Sequence, residues 1–129
     1  MTKVEMSLEM VTLPETKEQT QMLCLQVKGH ANYAPKGKDI VCAAESVLVQ
    51  ALAGALTQLN ETFVYDFTVD GTPGEGCVGI TVVPTPRGWD RVRGMLESTL
   101  MGFYLLAKAY PDYVQLGKIQ LEEENVYEI

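Results

Sequence analysis

Apolar and polar residues alternate at the start of the chain, with Val4, Met6, Leu8 and Met10 set against Lys3, Glu5, Ser7 and Glu9. A period of two places one set on each face of an extended backbone, so this segment predicts a half-buried β-strand. The polar stretch Pro14 to Gln19 reads as a turn, and Met22 to Lys28 as the second arm of a hairpin. A loop follows from Gly29 to Lys38, carrying Gly29, Pro35 and Gly37, and the period then changes. Asp39 is a suitable N-cap, because its carboxylate can accept from the unpaired amides of a first helical turn. A helix is expected from Ile40 to about Asn60, its core stripe being Ile40, Ala44, Val47, Leu48, Ala51, Ala55, Leu56 and Leu59 at three- and four-residue spacing.

Thr62 to Asp70 and Cys77 to Val83 are rich in strand-forming residues, and the turn-forming run Gly71 to Gly76 joins them as a second hairpin. Pro84, Pro86 and Gly88 break the strand pattern, and a second helix begins near Trp89. Trp89, Val92, Leu96, Leu100, Phe103, Ala107 and Tyr110 form its expected buried face, and Pro111 stops it, since the residue before a proline disfavours helical geometry. Val114 to Leu121 suits a last strand, with Glu122 to Glu124 expected as a solvated end. The order β-β-α-β-β-α-β with short hairpins predicts an α+β fold. Its expected form is a two-layer sandwich, a mostly antiparallel sheet with two helices packed on one face.

The 129 residues suit a single domain over 1–129, and 47% hydrophobic residues suffice for a core. Ten Lys and Arg against seventeen Asp and Glu leave a net charge of −7, which is unsuited to neutralising phosphates, so no nucleic-acid partner is expected. The longest apolar runs are interrupted by Glu45 and Gln50 or are short, so no membrane span is expected. The first residues lack the continuous apolar region of a signal peptide, and a cytoplasmic protein is expected. Cys24, Cys42 and Cys77 are odd in number and contain no CxxC pair, and His30 is the single histidine. Neither a disulfide framework nor a zinc site follows from that set, and no metal or cofactor is expected.

One thiol and one imidazole remain as candidate chemistry. Cys42 falls in the first turn of the first helix, where unpaired amides and the positive end of the helix dipole favour an anion. An ordinary thiol titrates near 8.5, and bringing it to about 7 takes about 2 kcal/mol. A helix terminus typically contributes about 0.3–1 kcal/mol, so an imidazolium neighbour is needed as well. Helical spacing puts Cys42, Glu45, Ser46, Val49 and Ala53 on one face, which begins polar and is offset from the expected core stripe. His30 and Cys42 flank one glycine-containing loop, Ala31 to Asp39, which can bring them together and fold over a ligand. The plainer alternatives are a buried inert cysteine and a structural histidine. Cys24 and Cys77 lie inside strand patterns and read as packing residues. Gly74-x-Gly76 lacks the lysine and helix of a phosphate loop and reads as a simple turn.

The stretch GHANYAPKGKDIVCAAESVL, Gly29 to Leu48, resembles the Prp family of ribosomal-processing cysteine proteases. Gly29-His30-Ala31, then Gly37-Lys38-Asp39-Ile40-Val41-Cys42-Ala43-Ala44 and Ser46, match that family's pattern, and Leu100 to Tyr113 is similar to its second helix and Tyr-Pro exit. The resemblance implies Cys42 as nucleophile and His30 as general base, with Asp39 and Ser46 supporting them. It also implies a homodimer that removes the N-terminal extension of bacterial ribosomal protein twenty-seven of the large subunit, or processes a related phage structural protein. Gly29, Ala31, Tyr33 and Gly37 are expected in a substrate-binding loop that orders over the peptide, with Val49 and Tyr33 lining the cleft. Glu45 departs from the small or apolar residue expected beside the nucleophile, and the first hairpin has a longer, charged turn at Glu15 to Thr20. The competing reading is a non-enzymatic acidic homodimer that binds a basic ribosomal or capsid protein, with Cys42 inert. A thiol redox role is disfavoured because no resolving cysteine lies near Cys42.

Overall fold

The computed structural model describes residues 1–122. Its elements follow the expected order: β1 (Thr2–Thr12), β2 (Gln19–Lys28), α1 (Ile40–Thr57), β3 (Val64–Gly71), β4 (Cys77–Pro84), α2 (Trp89–Ala109) and β5 (Val114–Ile119). They form a five-stranded mixed sheet in the order β3-β4-β2-β1-β5, antiparallel except where β5 runs parallel to β1. The fold is α+β.

Strand register explains the sheet. Val4, Val27 and Val78 lie opposite one another across β1, β2 and β4, as do Met6, Leu25 and Ile80, and then Leu8, Leu23 and Val82. Each row is apolar, and a slip of one residue in β2 would turn the β2 member of every row onto the opposite face. Eight of these nine side chains are buried, Leu8 being the half-buried one. On α2, Val92, Leu96, Leu100 and Phe103 are buried as expected, while Trp89, Ala107 and Tyr110 pack at the margin of the same core.

The first helix departs from its expected stripe. Its buried residues are Val41, Glu45, Val49, Leu52 and Leu56, whereas Ile40 and Val47 are 56% and 64% exposed. Apolar residues occupy most of the circumference of α1, so a 3.6-residue period fits more than one stripe and packing against the sheet and α2 selects between them. The same composition gives α1 the length and mean hydropathy, 18 residues and 1.7, of a membrane span, although Glu45 and Gln50 argue otherwise in the sequence. In the fold its inward side is seated on the core. The acidic end also differs from expectation. Glu122 is half-buried and accepts a hydrogen bond from Arg93 of α2, while Glu123 and Glu124 lie outside the described residues.

Glu45 is the charged member of the buried face of α1. It is 8% exposed, and neither its Oε1 nor Thr2 Oγ1 has a hydrogen-bond partner of ordinary geometry. Burial pushes its carboxyl from 4.5 up to about 7; the nearby Thr2 hydroxyl and the N-terminal ammonium oppose the rise and the charge of Asp39 adds to it. With the folded value above the unfolded one, stability is retained below pH 4.5 and lost as pH rises towards about 7. The full gap corresponds to about 3 kcal/mol at 1.36 kcal/mol per pH unit. Glu45→Gln, which cannot ionise, is therefore expected to gain on the natural protein with pH, from a few tenths of a kcal/mol near pH 4.5 to about 3 kcal/mol at pH 8. Urea unfolding across that range measures the difference, and a pH-independent difference would contradict the buried ionisation.

Candidate active site

The pairing of β2 with β4 sets the position of His30. The register places Lys28 opposite Cys77, and one residue further the Gly29 amide donates to the Gly76 carbonyl at 2.7 Å. His30 therefore emerges beside the turn between β3 and β4. That turn also bends over the start of α1. A Cβ built at Gly76 would lie 3.1 Å from His30 Nε2, and one built at Gly74 would lie 3.5 Å from Cys42 Sγ and 3.8 Å from Ser46 Oγ. Gly74 and Gly76 have positive φ, 86° and 97°, a conformation that side-chain-bearing residues rarely adopt. The Gly71 to Gly76 run is thus more than a connection. It is one wall of the site, a role the sequence reading does not assign to it, and its glycine spacing was the available signal.

Asp39 fixes the opposite wall. Its Oδ1 accepts from the Cys42 amide at 2.9 Å, which caps α1, and its Oδ2 accepts from the Tyr33 and Ala34 amides at 3.0 and 3.4 Å. Burial alone would raise this carboxyl, but the amides of Cys42, Ala34, Tyr33 and Val41 outweigh it and hold the group below its ordinary value. The hydrogen bonds of Asp39 join backbone to backbone and none of them reaches the imidazole. Because Val41, Cys42 and Ala43 all donate to Asp39, the helix start offers fewer free amides than its sequence suggests.

The loop between the two candidates is anchored to the core and to the helix start. Ala31 is buried in the core, and the Asp39 bonds gather the loop against the helix. Tyr33 does not line the groove. Its ring packs edge-on against Tyr110 and Tyr113, with centroids 5.4 and 5.1 Å away. An aromatic ring gains more from such contacts than from open solvent, which accounts for the departure from its expected place.

Cys42, half-buried, and His30, exposed, line one cavity of about 20 Å³, room for about one water. Gly29, Ala31, Glu45, Ser46 and Val49 complete the inner wall, with the glycine turn across from them. The cavity opens into a groove of about 600 Å³ beneath the loop, where Gly37, Asp39 and Glu75 join the lining. Cys77, expected as a packing residue, is exposed at the first position of β4 and borders the cavity, while Cys24 is buried and its thiol is raised by burial. A thiol at a helix start and an imidazole on one concave surface can act as nucleophile and proton carrier. Among the described residues no cluster of three His, Cys, Asp or Glu side chains could hold a metal.

Comparison with known proteins agrees in fold and in family. A crystal structure of the ribosomal processing protease Prp from S. aureus with a covalently linked product peptide is 20% identical, with 93% of this chain and 100% of that chain covered and a TM-score of 0.62. The same protease with a substrate peptide gives 19% identity, coverage of 93% and 100%, and a TM-score of 0.57. SMU.848 from Streptococcus mutans is 25% identical over 93% of this chain and 94% of its own, also with a TM-score of 0.57. No curated protein matches the chain. The family model for cysteine protease Prp matches residues 10–115, a span that holds the glycine turn, the capped helix and both flanks of the loop. By that match the chain belongs to the Prp family of cysteine proteases.

Proposed function

We propose that Cys42 and His30 form the catalytic dyad of an endopeptidase that removes the N-terminal extension of large-subunit ribosomal protein twenty-seven or of a related phage structural protein. The observation that carries this reading is that both side chains line one cavity between the glycine turn and the start of α1. His30 takes the Cys42 proton, and the Sγ attacks the scissile carbonyl. The carbonyl oxygen gains its negative charge near the positive end of α1. His30 returns the proton to the leaving amine as the C–N bond breaks, leaving an acyl–sulfur bond. Water, deprotonated by His30, then cleaves that bond and regenerates the thiol.

Asp39 supports the site by clamping the loop to the helix, and Ser46 stands beside Cys42 under Gly74. Gly29 lines the inner cavity, and Ala31 and Gly37 carry the loop along the groove that receives the peptide. A relative from S. aureus is described with a covalently linked product peptide, which suits a thiol nucleophile. Cys24, Cys42 and Cys77 are free thiols, as a reducing, cytoplasmic setting favours. Incubation with the ribosomal protein bearing its extension, followed by mass measurement, is expected to show loss of the extension with the natural protein and none with Cys42→Ala. Cleavage by Cys42→Ala would contradict the dyad, and a stable complex of unchanged mass would favour the binding-only reading.

The homodimer is supported by the outward face of the helices. Ile40, Val47, Met101 and Leu105 are more than half exposed, and Val47 and Leu105 border an apolar groove with Ala43, Ala44, Leu48 and Gly102. This face includes Ile40, Ala44 and Val47 of the stripe expected to be core, and a second copy buries it. A double Val47→Glu, Leu105→Glu variant is expected to halve the mass found by light scattering while keeping its circular dichroism. An unchanged dimer would place the contact elsewhere.

A further inference from the structure

We infer that the small cavity behind the dyad is the site of the water that hydrolyses the acyl-enzyme, separate from the groove that receives the peptide. The inference rests on the dyad reading above and deepens it by placing the second substrate of the reaction. Two spaces of very different size meet at Cys42 and His30. The outer groove, about 600 Å³, takes an extended stretch of peptide, whereas the inner cavity, about 20 Å³, has room for about one water. No substrate side chain fits the smaller space, so the molecule suited to it is water.

The ring nitrogen that takes the water's proton lies on this side of the pair. Nε2 is the imidazole atom nearest to a Cβ built at Gly76, at 3.1 Å, and Gly76 borders the cavity but not the groove. Cys42 and Ser46 border both spaces, so an acyl group on Sγ can keep its peptide in the groove with the cavity at its back. An enclosed water needs about two to four polar partners. His30, Ser46 and Glu45 bring polar side chains to this wall, while Val27, Val49 and Val78 close much of the rest and confine the water beside the pair. In the step so placed, the water oxygen bonds to the acyl carbon as Nε2 takes its proton. The C–S bond then breaks with its electron pair returning to sulfur, and the imidazolium protonates the sulfur as the carboxylic acid leaves. The groove can stay occupied while this happens.

The p-nitrophenyl ester of the ribosomal extension tests this, because release of p-nitrophenol reports acylation as a burst and hydrolysis of the acyl-enzyme as the steady rate that follows. Val49→Ile and Val78→Ile each add one methylene to the cavity wall, one from the helix and one from the sheet, and neither residue borders the groove. At least one of them is expected to slow the steady rate by about tenfold or more, with its burst rate within about twofold of the natural protein. Mass spectrometry is then expected to find the acyl group accumulated on the Cys42 peptide, and circular dichroism to be unchanged. A full burst followed by unchanged steady rates in both variants would overturn the proposal and leave the dyad standing. Equal slowing of burst and steady rate in both would also overturn it, since the valines would then act on the dyad itself. Absence of a burst in the natural protein would overturn the dyad and this proposal together.

Discussion

The antiparallel pairing of β2 with β4 is the constraint on which the rest depends. The same register that stacks Val27 on Val78, Leu25 on Ile80 and Leu23 on Val82 carries the end of β2 to the β3–β4 turn. Core and site are therefore coupled through one ladder. Slipping it by a residue would bury polar side chains and move His30 away from Gly76 together. The loop can vary in conformation as long as this ladder delivers the imidazole on one side and the Asp39 cap delivers the sulfur on the other.

Two carboxylates beside the sulfur solve different problems. Asp39 is satisfied by backbone amides, so its charge is stabilised where it stands and its work is geometric: it starts a helix and gathers a loop with one group. Glu45 is the reverse case. It lies on the buried face of α1, where its ionisation opposes folding despite the nearby Thr2 hydroxyl and N-terminal ammonium. A fold retains such a group at a measurable loss of stability, and concave sites next to reactive groups are where that trade-off is commonly found.

Much of the fold was legible because short-period patterns have one reading. Alternation in β1, the Asp39 cap, the Pro111 stop and the α2 stripe each point to a single local structure, and each is found. The stripe of α1 was not legible, since a helix apolar on most sides leaves the choice to tertiary packing; Val41 rather than Ile40 faces inward. At the site, Cys42 and His30 stood out by residue type and by flanking one loop. Gly74 and Gly76 did not, because what they contribute is the absence of a side chain over another element, which only the sheet register reveals. Tyr33 was misplaced for a similar reason: its partners Tyr110 and Tyr113 lie about eighty residues away in sequence.

The central claim is that the imidazole of His30 and the sulfur of Cys42 function as one unit. The most direct measurement is the rate of iodoacetamide alkylation at Cys42 as a function of pH, in the natural protein and in His30→Ala, followed by mass spectrometry of the labelled peptide. At pH 7 the natural protein is expected to be alkylated at least about tenfold faster than His30→Ala. Superimposable profiles for the two proteins would contradict it.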